Sequence, residues 1–384
     1  LAAFLALPSC MAKKNVYFFN RIKGFYRGQY SLKYFKDKFL QYNTFYLDGD
    51  YFFDQAQGPV AKAADRFLNV AFRSRAIEKA DLVWVPAMAY ASTREWESIK
   101  KSRARVIFDY YVSQYENLTN EFRSVERHSA EGKKLRATEI DFMQRSEVTL
   151  FLTEAERSYF FEYLDFDHSR VRTEIVPLVV DRRAKARIPF AKSLTTRPVI
   201  AWWGTNLPLH GLRTLIQGLA ILKNRGVDFL FYLIINNETR GADNQSLFAL
   251  VHELGLEKQV VYEHRFSLHD FSLEDFLIQD VDLALGSFGG TRKGQSVLMN
   301  KVADTVSMSL PCLTEFSDGL QEFLKPGEDV FCCLPQPEAL ADLLEKTLAE
   351  PEKLQQVASR LEPIFEAQLS PNAYYKRLNR ILEG

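Results

Sequence analysis

Short apolar runs alternate with longer stretches of helical spacing, and this alternation passes along the chain twice with a break between. Parallel strands joined by helices read this way, because a strand buried on both faces is apolar throughout while its crossover helix is amphipathic. The first series places strands at 16–19, 44–47, 82–86, 105–109, 148–152 and 174–178, with helices at 61–79 and 121–145. The second places strands at 199–203, 229–235, 260–263, 283–285, 311–314 and 330–334. Between the first two of these, Leu212, Leu215, Ile216 and Leu219 recur on one helical face. At 384 residues one core of ordinary size does not suffice. The expected architecture is α/β: two doubly wound, Rossmann-like domains facing an interdomain cleft.

The boundaries follow from composition. Residues 1–182 form the first domain, with 1–10 disordered or upstream of a natural start at Met11, and 199–365 form the second. Residues 183–198 bring charge, prolines and small polar residues and read as the linker. The tail, 366–384, is a helix capped at Ser370-Pro371-Asn372 that is expected to pack back on the first domain. Because 49 Lys and Arg balance 49 Asp and Glu, no global field draws the chain to nucleic acid or to an acidic membrane. Peripheral membrane contact would need a local patch. Cys10, Cys312 and the adjacent Cys332 and Cys333 make neither a metal motif nor a disulfide framework. The first ten residues, LAAFLALPSC, are too short to span a bilayer, and a cytoplasmic protein is expected.

Chemistry concentrates at 286–311. The stretch leaves the run Val281-Asp282-Leu283-Ala284-Leu285 as a glycine-rich turn and then takes helical spacing up to Pro311. Gly286, Gly289, Gly290 and Gly294 permit left-handed backbone and close approach, and a helix start behind them presents free N–H groups, so the stretch reads as an anion cradle. Arg292 and Lys293 add charge there. A solvated loop with ordinary turn glycines would carry the same letters. In the first half, Arg21-Ile22-Lys23-Gly24-Phe25-Tyr26-Arg27-Gly28 is expected to form a loop at the carboxyl end of a strand, where open α/β sheets take ligands. Arg21, Gly24 and Arg27 are its acceptor-side candidates. A solvated loop anchored by two aromatics is the competing reading.

Gly204-Thr205-Asn206-Leu207-Pro208-Leu209-His210-Gly211 and the run from Leu285 to Asp304 match, in order and spacing, segments of the form GxxxPLHG and LGxFGxxxKxxxVxxNKVxE. The second half therefore resembles the donor domain of GT-B-fold glycosyltransferases of the large, retaining family four. The likeness continues through Glu315-Phe316-Ser317, Leu324 to Asp329 and Glu338 to Ala341, covering 199 to about 365. The resemblance implies a nucleotide-diphosphate sugar as donor, a glycan or lipid-linked acceptor, retention of anomeric configuration, and no cofactor or metal. The Asp280-Val281-Asp282 acidic pair reads as helix-end and surface charge.

It also implies a donor site of Gly204, Thr205, His210, Gly211, Arg265, Phe288, Gly289, Gly290, Lys293, Ser296, Asn300, Lys301 and Asp304. Thr205 and His210 stand where the family commonly has an arginine and a lysine on the diphosphate. His210 is then expected to donate hydrogen bonds or to protonate beside phosphate, with Lys293, Arg292 or Arg265 supplying the missing cation. Ser296 and Asp304 stand where the family has a sugar-binding and a ribose-binding glutamate. Lys293 and, in the first half, Asp109 at the end of a strand are the catalytic candidates. An epimerase or hydrolase on the same fold, or a nucleotide- or glycan-binding protein without turnover, fits the same letters.

Overall fold

The structure, a computed structural model, describes residues 13–23, 26–50, 75–87, 93–180, 197–235, 241–266 and 271–383. Residues 1–10, Gly24, most of the helix expected at 61–79 and nearly all of the linker expected at 183–198 lie outside the described residues. The chain divides into two compact units: Leu1–Phe151 with Phe160–Ile175, and Leu152–Tyr159 with Val176–Gly384.

In the first unit, β1 (Lys14–Lys23), β2 (Tyr42–Asp50), β3 (Leu82–Val85), β4 (Arg105–Asp109), β5 (Val148–Phe151) and β6 (Thr173–Ile175) make a parallel sheet in the order β2-β1-β3-β4-β5-β6. Every residue of β3 and β5 is buried, which is why β3 reads as an unbroken apolar run and β5 as one interrupted only by Thr149. Two boundaries differ from expectation. β1 continues through Arg21 to Lys23, in shifted register against β2, and a helix runs over Tyr26–Asp37, so the described residues of the loop expected at 21–28 are strand and helix. The helix expected at 121–145 begins at Ala130, where the Ser129 hydroxyl accepts the Gly132 N–H; upstream, Arg123 takes the left-handed region at φ 49°.

The second unit repeats the layers. Its strands are β7 (Val199–Gly204), β8 (Leu230–Ile235), β9 (Val260–Glu263), β10 (Leu283–Leu285), β11 (Cys312–Glu315) and β12 (Phe331–Cys333), all parallel, in the order β12-β11-β10-β7-β8-β9. The chain enters at β7, builds outward to β9, then returns to the other side of β7 with β10. Such a reversal leaves a crevice at the carboxyl ends of the two central strands, where doubly wound sheets bind ligands. Leu212, Leu215, Ile216, Leu219 and Leu222 of the helix Leu212–Asn224 enter the core. Gly218 on that helix lets the helix Pro337–Leu348 lie close, since a Cβ there would stand 2.8 Å from Leu340 Cδ2.

The last helix, Pro371–Glu383, is capped by Ser370 Oγ, which accepts the Ala373 N–H at 3.2 Å, and it falls within the second unit. Cys312, Cys332 and Cys333 are free thiols. No helix among the described residues is long and apolar enough to cross a membrane.

Candidate active site at the β7–β10 switch point

Two turns leave the central strands and lie backbone against backbone. Trp202 Nε1, buried near the end of β7, donates to the Gly286 carbonyl at 2.9 Å and ties the strand ends together. The turn after β7 closes with His210 N–H to the Leu207 carbonyl and Gly211 N–H to the Pro208 carbonyl; the Phe288 N–H then donates to the His210 carbonyl at 3.0 Å. Side chains cannot fit between them. A Cβ on Gly211, at φ 61°, would stand 2.1 Å from the Phe288 carbonyl oxygen, and one on Gly289 would stand 2.5 Å from the Leu209 carbonyl oxygen. Phe288 is fully buried beneath the junction. Of the four glycines expected to allow left-handed backbone or close approach, Gly290 is left-handed, and Gly286, Gly289 and Gly294 serve close approach, though to neighbouring protein atoms.

The helical spacing after the turn resolves into two pieces, Arg292–Ser296 and Asn300–Met308. The break has a cause: Ser317 Oγ donates to the carbonyls of Gln295 and Val297 at 3.0 and 2.8 Å, taking acceptors that a continuous helix would use. The second helix carries Lys301 and Asp304 inward. The Lys301 ammonium lies 4.3 Å from the centre of the Trp202 ring, and a Cβ on Gly204 would stand 3.2 Å from it. Burial pulls Lys301 down to about 8. Asp304, which accepts a hydrogen bond from the Trp203 indole, is pushed by burial up to about 7, against the pull of Lys301. A buried ammonium and a buried carboxyl one helical turn apart thus meet at the mouth of the Gly204 turn.

The remaining donor-side candidates separate. His210 Nδ1 donates to the Thr205 carbonyl at 2.6 Å, and burial, with Lys301 nearby, pushes the ring down to about 3. Of the two roles expected of it, hydrogen-bond donor or protonated partner of a phosphate, this environment favours the neutral donor, whose Nδ1 N–H fixes the turn. Arg265 is held by Glu263 through two short contacts, Nε to Oε1 at 2.9 Å and a terminal nitrogen to Oε2 at 2.6 Å, so it is not a spare cation. Ser296 is buried with its hydroxyl on the Lys293 carbonyl at 2.9 Å. Lys293 sits half-buried in the short helix, and Asn300 is exposed at the start of the next, whose N-cap is Met299. Asp282 is buried, not a surface charge, and accepts the Val199 N–H at 2.8 Å.

Glu315 is the residue to which the sequence reading gave no role. From the end of β11 its Oε2 accepts the Gly290 N–H at 2.8 Å, and the Gly289 N–H also bonds the carboxylate. The cradle expected to receive an external anion at 289–290 is therefore occupied by an internal one. Its position at the carboxyl end of a parallel strand, one strand from the switch point, was the available signal.

In the first unit Asp109 and Arg27 come together as an ion pair with both side chains at zero exposure. The Arg27 guanidinium also faces the Tyr111 ring at 5.0 Å. Burial pushes the Asp109 carboxyl up from its ordinary range while Arg27 pulls it down. Arg27 lies in a helix, not in the expected loop, and neither partner of this pair presents charge to solvent. Arg21 lies within β1, and Gly24 is outside the described residues. Among the described residues, no group of three His, Cys, Asp or Glu is placed to hold a metal ion.

No protein-family profile and no curated protein sequence matches the chain. Solved structures do. Alr3699/HepE of Anabaena, in complex with UDP and glucose, superposes with a TM-score of 0.66 at 12% identity, over 97% of this chain and 100% of that one. Sucrose-phosphate synthase of Thermosynechococcus elongatus gives 0.69 at 12% identity, over 97% and 98%. A glycosyltransferase of Rickettsia africae gives 0.66 at 12% identity, also over 97% and 98%. These likenesses establish the fold: the chain has the two parallel α/β units of GT-B glycosyltransferases along nearly its whole length.

Proposed function

We propose that the protein is a glycosyltransferase that moves a sugar from a nucleotide-diphosphate donor to a glycan or lipid-linked acceptor, with retention at the anomeric carbon. The observation that carries this reading is Lys301. A lysine with its ammonium buried over Trp202 at the Gly204 turn forms no ion pair with a described residue and is drawn down to about 8, so it gains most when an anionic group arrives. The pyrophosphate of a nucleotide sugar supplies that group, and Asp304 lies one turn further along the helix, suited to accept the ribose hydroxyls.

Breaking the bond between the anomeric carbon and the diphosphate places growing negative charge on the leaving phosphate. A preformed cation and fixed backbone dipoles at that position stabilise the transition state more than the ground state, and removing one such donor costs roughly 10²–10³ in rate. Lys301 takes the part that His210, Arg265 and Lys293 were expected to share. The GT-B neighbours support the reading, one of them holding UDP and glucose.

The test is product analysis. Incubation of the full chain with UDP-, GDP- and ADP-sugars and a panel of glycan and lipid-linked acceptors should release one nucleoside diphosphate in an acceptor-dependent way. Release of free sugar, or of an altered sugar, without dependence on acceptor would contradict transfer.

A further inference from the structure

The Glu315 side chain is 2% exposed and crosses from the end of β11 to the turn after β10. Oε2 is satisfied by the glycine N–H groups, whereas Oε1 has no hydrogen-bond partner. An unmade bond on a buried carboxylate oxygen is costly, more so than on a neutral acceptor. Such an oxygen in a ligand-binding turn calls for a donor that the ligand brings.

Two neighbours narrow the ligand's chemistry. Gly294 brings its bare Cα up to Oε1, since a Cβ there would stand 3.1 Å from Oε1 and 3.1 Å from Thr291 Oγ1. Ser287, whose carbonyl accepts the Glu315 N–H at 2.9 Å, has a buried hydroxyl without a hydrogen-bond partner. An unmet acceptor that reaches the turn from β11 and an unmet hydroxyl on the turn itself suit a ligand whose groups both donate and accept, as hydroxyls do. A sugar ring does this. A phosphate does not, because it would meet the carboxylate's charge and find the glycine N–H groups already taken.

We infer that Glu315 is the donor-sugar acceptor of this site: its Oε1 takes a hydrogen bond from a ring hydroxyl, filling from β11 the role that Ser296, without a carboxylate, cannot fill. The inference rests on the reading of the protein as a nucleotide-sugar enzyme. It divides the site by chemistry, with the pyrophosphate at Gly204 and Lys301 and the sugar at Gly294 and Glu315.

Calorimetry on the full chain separates the two claims. UDP and UDP-glucose, GDP and GDP-mannose, and ADP and ADP-glucose are titrated into wild type and Glu315→Gln. Glutamine fills the same volume and its carbonyl can still accept the glycine N–H groups, but it puts an NH₂ donor where Oε1 stood. For the nucleotide that binds wild type, E315Q should hold the nucleoside diphosphate within about twofold and weaken the nucleotide sugar about tenfold or more. Should E315Q fold poorly, Glu315→Asp, which keeps the charge on a shorter arm, should show the same split. Equal loss for both forms, or loss for neither, overturns the role of Glu315 and leaves the nucleotide reading intact. Absence of binding by wild type to all six compounds overturns both.

Discussion

A lysine ammonium buried over an indole face, with the partly protonated Asp304 one turn away, sits short of full charge until an anion arrives. This has a measurable consequence. With Lys301 near 8 and Asp304 near 7, the state that serves a nucleotide sugar, lysine charged and carboxyl ionised, is populated best between those values. Affinity for the nucleotide sugar is expected to rise as pH climbs through about 7, where Asp304 loses its proton, and to fall as pH climbs past about 8, where Lys301 loses its own. The diphosphate linkage of a nucleotide sugar has no terminal monoester group to titrate in this window, so both limbs belong to the protein. Asp304→Asn should remove the acid limb. Lys301→Met should remove the alkaline limb and weaken binding about tenfold to a hundredfold, the worth of a charge-assisted hydrogen bond. Flat profiles in wild type, read by calorimetry across pH 6–9 or so, would contradict the assignment.

Between residue and fold stand the two turns, and what binds them is the absence of side chains. Gly211 combines φ 61° with a carbonyl oxygen 2.1 Å from where a Cβ would go. Gly226 has a comparable φ of 82° but open space around it. Alanine at 226 should cost only backbone strain, about 1 kcal/mol, while alanine at 211 must also push the 286–290 turn away, for roughly 2–4 kcal/mol. Thermal melts should show the difference directly, and Gly211→Ala should also weaken nucleotide binding because the Gly204 turn moves with it. Equal effects at 211 and 226 would mean that the turns are not packed as described. The spacing GxxxPLHG made this element visible in the sequence, since a left-handed glycine must close a turn so short. The partner turn was visible too, and both reasons given for its glycines apply to different members of it, left-handed backbone at Gly290 and close approach at Gly286 and Gly289; sequence does not say which is which.

At the scale of the molecule, each of the twelve apolar runs overlaps a strand, and the central strands do so most fully because burial on both faces leaves little room for polar residues. Ends were less legible. β1 extends through Asn20, Arg21 and Lys23, residues of the kind that also make loops, and the helix break at 297–299 depends on Ser317, which lies far along the chain. The two turns and the helix that carries Lys301 and Asp304 were legible in the sequence; the surroundings of their side chains were not. Motif spacing placed Lys301 and Asp304, but the choice of Lys301 over Lys293 or Arg265 depends on Glu263 binding the arginine and on Trp202 lying under the lysine, neither of which is local in sequence. Glu315 was hidden for the same reason: its partners, Gly289 and Gly290, are contributed by another strand's turn.

The central claim is that the second unit holds the donor's pyrophosphate at the Gly204 turn. A crystal structure of the full chain with the nucleoside diphosphate that binds it tests this most directly. The expected result is a phosphate oxygen in hydrogen-bond contact with Lys301 and the ribose hydroxyls on Asp304. Phosphate density at Arg292 and Lys293 instead, with the Gly204 turn free of ligand, would contradict it.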